Sequence, residues 1–118
     1  MYVQFAVKEY SVQLTNFKLP YAYVMLFDVD GNWRARLNFV PQPEVNETTN
    51  VTISGDFIEL YMNIKLLDDF VDLLRNEKPV TATANSDYDI FILGTGKEPV
   101  GEEETRQFLR IGPIPYTP

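Results

Sequence analysis

The segment from Tyr21 to Val40 constrains this fold most: two alternating apolar–polar runs meet at Asp30-Gly31, a turn chemistry that joins antiparallel strands. A two-residue Asp-Gly loop sets Phe27 against Arg34 and Met25 against Arg36, mixing apolar and charged side chains on one face. A three-residue loop, Val29-Asp30-Gly31 with the glycine left-handed, instead pairs Phe27 with Trp33, Met25 with Ala35, Tyr23 with Leu37 and Tyr21 with Phe39. The longer loop separates the faces, so it is the one expected. Asp28, Leu26 and Val24 then fall on the outward face beside Asn32, Arg34 and Arg36.

The remaining elements follow from the same periodicity. Val3, Phe5 and Val7 alternate with polar neighbours, as do Tyr10, Val12 and Leu14, but the parity flips across Lys8-Glu9. No Gly, Asn or Pro stands there to make a turn, so a bulge within one long strand is expected over a tight reversal. A second hairpin, Val51 to Met62, turns at Gly55-Asp56; a type II′ turn aligns Ile53 with Ile58 and Val51 with Leu60, leaving Phe57, Glu59 and Tyr61 outward. Asn63 can cap a helix from about Ile64 to Glu77, whose apolar stripe is Ile64, Leu67, Phe70, Val71 and Leu74. A third hairpin runs from Val80 to Leu93 around Asn85-Ser86-Asp87, with small Ala82 and Ala84 facing Tyr88 and Ile90 and leaving room for a large neighbour. Gly94 to Thr105 reads as loop, Phe108 to Ile111 as a last short strand, and 113–118 as an extended Pro-rich tail.

The expected class is β-rich α+β: antiparallel hairpins forming a curved sheet or a small, partly closed barrel, with one helix between the second and third hairpins. Residues 1–112 form the single domain. With 45% hydrophobic and 14% aromatic residues, a chain of 118 residues can bury a core without crosslinks.

Function is bounded by absences. The chain has no histidine and no cysteine, which removes Ser-His-Asp and Cys-His catalysis and zinc sites built on imidazole or thiolate. Asp28-Val29-Asp30-Gly31-Asn32 superficially suits calcium, but an EF-hand loop starting at Asp28 would need Gly where Trp33 stands and Glu where Phe39 stands. Gly94-Thr95-Gly96-Lys97 lacks the first glycine of a phosphate loop, Phe91 occupying its place, and Glu98 follows the lysine. No metal and no cofactor is therefore expected. The net charge of −7 and pI near 4.4 argue against nucleic-acid partners, no apolar run reaches membrane-spanning length, and the cysteine-free composition places the chain in the cytoplasm.

The resulting expectation is a non-enzymatic interaction module whose partner is a protein or a second copy of itself. The patch Val24, Leu26, Arg34, Arg36, Phe57 and Tyr61 is the candidate binding surface, because Arg and aromatic groups concentrate in recognition sites. Two alternatives stay open: a barrel holding a small apolar or aromatic ligand, and a histidine-free enzyme using carboxylates such as Asp89 or Glu59.

Overall fold

A computed structural model describes residues 1–16, 22–41 and 48–96 of the chain. Eight strands occur there: β1 (Tyr2–Val7), β2 (Glu9–Leu14), β3 (Ala22–Phe27), β4 (Trp33–Val40), β5 (Thr48–Ser54), β6 (Phe57–Asn63), β7 (Val80–Asn85) and β8 (Ile90–Thr95). A single 3-10 turn, Ile64–Leu66, leads into helix α1, Leu67–Asn76, between β6 and β7. The fold is thus β-rich α+β, as the periodicity predicts. The strands form a three-stranded sheet, order β1-β7-β8, and a five-stranded sheet, order β2-β3-β4-β6-β5, which do not close into a barrel.

The parity flip at Lys8 marks the corner between the sheets. The chain runs on without reversing: β1 pairs with β7, β2 pairs with β3, and the Lys8 N–H donates to the Phe27 carbonyl at 2.9 Å. Strands that change sheets need such a break in alternation, because the inward side changes as the chain turns the corner. Val3, Phe5 and Val7 therefore face the shared core from one sheet, and Tyr10 and Val12 from the other. Leu14, expected on that inward row, lies past its edge and is exposed.

The first hairpin turns as predicted. The Gly31 N–H donates to the Asp28 carbonyl and the Asp28 N–H to the Asn32 carbonyl, each at 3.0 Å, with Gly31 at φ 84°. The second hairpin also keeps its Gly55-Asp56 turn, Gly55 at φ 66° and Ile53 opposite Ile58. An irregularity between Thr49 and Thr52 then displaces the expected Val51–Leu60 pair. One ladder departs from antiparallel order: β6 lies between β4 and β5 and runs parallel to β4. The third hairpin differs more. Its turn covers 86–89, so Ala84 faces Phe91 and Ala82 faces Leu93, and Tyr88 is an exposed turn residue. β8 also continues through Thr95, where loop is expected from Gly94.

Asn63 caps the helical segment, its Oδ1 accepting from the Lys65 N–H at 2.9 Å. Leu74 is the buried end of the apolar stripe, and Ile64, Leu67, Phe70 and Val71 pack against the core. Phe70 links the two sheets through its ring, 5.9 Å from Phe39 on β4 and 6.3 Å from Phe91 on β8, centroid to centroid. At the side away from Lys8, Asp89, in a left-handed conformation at φ 56°, accepts from the Val51 N–H of β5 at 2.7 Å. That bond satisfies a donor at the β5 irregularity and ties the two sheets together. The segment expected as a last strand, 108–111, and the tail 113–118 lie outside the described residues.

Candidate functional site

A β-bulge decides what the five-stranded sheet shows outward. Phe27 pairs with Trp33 as predicted, but Leu26 pairs with Ala35, which makes Arg34 the extra residue and moves the register by one. Val24 now faces Leu37, and Met25 faces Arg36. Val24 and Leu26, expected in the outward binding patch, are instead fully buried in the core. The physical reason is the choice of side chains. The bulge turns Ala22, Val24, Leu26, Ala35, Leu37 and Phe39 inward, all without polar atoms, and leaves the amphipathic Tyr23 and Met25 outside.

Arg34 also leaves the outward face. Its Nη1 lies 3.0 Å from Asp28 Oδ2, its Nε donates to the Asp56 carbonyl at 3.2 Å, and its guanidinium stands 4.6 Å from the centroid of the Phe5 ring. With only 16% of the side chain exposed, Arg34 closes the hairpin end of the core. Asp28 is fixed from both sides, its Oδ1 accepting from the Asp30 and Asn32 N–H groups at 2.9 Å each. The Asn32 N–H holds the Asp28 carboxyl below the usual carboxylate range, with Arg34 and the Asp30 N–H adding to it against the effect of burial.

Arg36, Phe57 and Tyr61 do lie outward, and the register brings Tyr23, Asn38 and Glu59 to them. The Arg36 guanidinium sits 4.3 Å from the Tyr23 ring centroid, and its Nε donates to Asn38 Oδ1 at 2.9 Å. Asn38 Nδ2 donates in turn to Glu59 Oε2 at 3.2 Å and to the Leu60 carbonyl at 3.1 Å. Phe57 meets Trp33 edge to face at 5.1 Å. These groups satisfy one another within the sheet, so a partner docking here must compete with bonds already made. Sequence reasoning does not single out Tyr23 or Asn38. The available signal is Asn38 itself, an amide within the apolar run Leu37 to Val40 that needs partners once buried.

The outer face of the three-stranded sheet is chemically different. Registers of β1, β7 and β8 place three rows there: Tyr2, Asn85 and Ile90; Gln4, Thr83 and Ile92; Ala6, Thr81 and Gly94. None of these nine positions is charged, although 23% of the chain is. Gln4 Nε2 donates to Thr83 Oγ1 at 3.2 Å across the middle row. Tyr2 (60%), Ile90 (44%) and Ile92 (55%) are exposed large apolar side chains on this face. At the rim, beside the Tyr2 row, the amino terminus of Met1 lies 3.0 Å from Asp87.

Of the two carboxylates expected within strands as catalytic candidates, Glu59 lies on β6 and Asp89 in the turn before β8; both are occupied structurally, Asp89 by the Val51 N–H and Glu59 by Asn38. Among the described residues no three acidic side chains gather to hold a metal ion, and no helix is long and apolar enough to cross a membrane. No protein-family model, no curated protein and no solved structure matches the chain.

Proposed function

We propose that this chain is a non-enzymatic interaction module that self-associates through the outer face of its three-stranded sheet. The observation that carries the reading is the charge-free face bearing Tyr2, Ile90 and Ile92, on a chain of net charge −7. Two copies so charged repel each other over most approaches. They meet at least electrostatic cost where both surfaces are neutral, and there apolar burial drives contact. A second copy supplies the same neutral face by symmetry, which is how homodimers with a two-fold axis are built.

The size of the face sets the strength. Three strands span about 10 Å between their outer axes and six residues run about 20 Å along them, so the contact falls below the standard interface area. The module is accordingly a reversible dimer, with dissociation between about 10 μM and 1 mM.

Sedimentation equilibrium across that concentration range tests the proposal. The expected result is a monomer–dimer equilibrium that tightens as salt rises from about 0.05 to 0.5 M, because salt screens the repulsion between like-charged copies. Ile92→Lys, which introduces a like charge beside its symmetry mate, weakens the dimer by about tenfold or more. A wild-type monomer throughout the range removes self-association. Weakening by Phe57→Ala or Arg36→Ala, with Ile92→Lys silent, moves the contact to the five-stranded sheet and overturns the assignment to this face.

A further inference from the structure

Where the chain crosses from one sheet to the other, a cleft of about 390 Å³ opens between the Lys8 corner and the end of α1. Its apolar lining is Val7 and Val80, the last rung of the β1–β7 ladder, together with Leu74 of the helix and the Tyr10 ring. Lys8 leaves that rung along one strand and Lys78 approaches it along the other, while Arg75 enters from the last helical turn. Three of the chain's ten cations therefore meet in one cleft of an acidic protein. Arg75 shares its charge with Asp72 at 3.5 Å on the exposed surface, and among the described residues Lys8 and Lys78 form no ion pair. Glu77 is the single carboxylate in the lining.

We infer that this cleft binds a small organic anion, a carboxylate-sized charge on an apolar body, independently of self-association. The volume lies within the range of small-molecule sites, roughly 300–1,000 Å³. The chemistry is divided as such a ligand requires: an apolar floor for its body and cations at the rim for its charge. Free carbonyls at a helix end favour cations, and Arg75 and Lys78 answer part of that field. Lys8, at the corner between β1 and β2, is surplus to it, so the cleft keeps a net positive charge after Glu77 is counted. A bare inorganic anion would leave the apolar floor unused, and a neutral apolar molecule would leave the lysines unpaired.

Titration with benzoate, followed by backbone amide shifts in the intact chain, tests this against benzyl alcohol and inorganic phosphate. Saturable benzoate binding near about 1 mM is expected, with the largest shifts at Val7, Lys8, Asn76, Glu77 and Val80. Benzyl alcohol and phosphate should each bind at least about tenfold more weakly. Each exposed charge removed should weaken benzoate about threefold and the pair Lys8→Gln/Lys78→Gln about tenfold, while Lys65→Gln at the start of the helical segment leaves it unchanged. No saturable binding, equal binding of benzoate and benzyl alcohol, equal binding of benzoate and phosphate, or an unaltered double variant overturns the inference. Sedimentation of the same double variant at about 0.5 M salt, where the two added units of negative charge are screened, should match wild type, so loss of anion binding is read separately from loss of the dimer.

Discussion

Replacing Phe70 by alanine tests whether the helix ring is what couples the two sheets. Phe→Ala at a fully buried site costs about 3–5 kcal/mol, and Phe70 is half-buried, so a loss of about 2 kcal/mol is expected. Part of that is specific to the ring, which meets Phe39 edge to face and stacks on Phe91; such pairs add about 0.5–1.5 kcal/mol beyond burial. Urea unfolding followed by Trp33 fluorescence and by far-ultraviolet dichroism reads the change. With a slope near 1.5 kcal/mol/M, the midpoint should fall by about 1.3 M, and the thermal midpoint by roughly 8–10 °C. Phe70→Leu keeps most of the buried area and loses the ring pairs, so it should sit between wild type and Phe70→Ala. A double-mutant cycle of Phe70→Ala with Phe91→Ala isolates the ring pair, with coupling of at least about 0.5 kcal/mol expected. A Phe70→Ala loss below about 0.5 kcal/mol, the range of ordinary surface changes, refutes the bridging role, as does a coupling near zero.

Two further outcomes concern the first hairpin. Asp28 is held below its ordinary pKa in the folded protein, so its contribution is present above the unfolded value and is lost as pH falls through the folded one. Wild-type stability should therefore drop as pH falls below the ordinary carboxylate value of about 4; Asp28→Asn, which keeps an acceptor for the Asp30 and Asn32 N–H groups, should flatten part of that drop, and identical pH profiles would refute the argument. Gly31→Ala meets no atom within 4 Å but must hold φ 84°, so it should cost about 1 kcal/mol and Gly31→Asn distinctly less; equal costs by urea midpoint would show that φ is not the cause.

Turn chemistry and helix patterning were legible in the residues, because each is local. Gly31 and Gly55 adopt the positive φ their turns require, Asn63 caps, and the stripe from Ile64 to Leu74 faces the core. The register beyond Trp33 was not. Both parities of β3 are apolar, Ala22-Val24-Leu26 on one side and Tyr23-Met25-Phe27 on the other, so hydrophobic alternation alone cannot choose between them. The bulge at Arg34 chooses, and it is held by partners distant in sequence, Phe5 and Asp56. Parallel pairing of β4 with β6 was hidden for a similar reason, since antiparallel β5 follows β4 directly in sequence. The candidate patch inherited the same error: Val24 and Leu26 went inside, and the charge-free face came to view only once β1 was paired with β7.

That pairing of β1 with β7 also sets an order of events at the ribosome. Tyr2 to Val7 leave the exit tunnel well before their ladder partners, Val80 to Asn85, which are made more than seventy residues later. At about 5–20 residues per second, Val3, Phe5 and Val7 wait several seconds with no strand to pair with. All described strands of the five-stranded sheet have emerged once β6 has, because each of them precedes β7 in the chain. β1 thus finds its partner only after the strands of the five-stranded sheet have emerged, and in that interval its apolar row is open to capture by a chaperone or by another nascent chain.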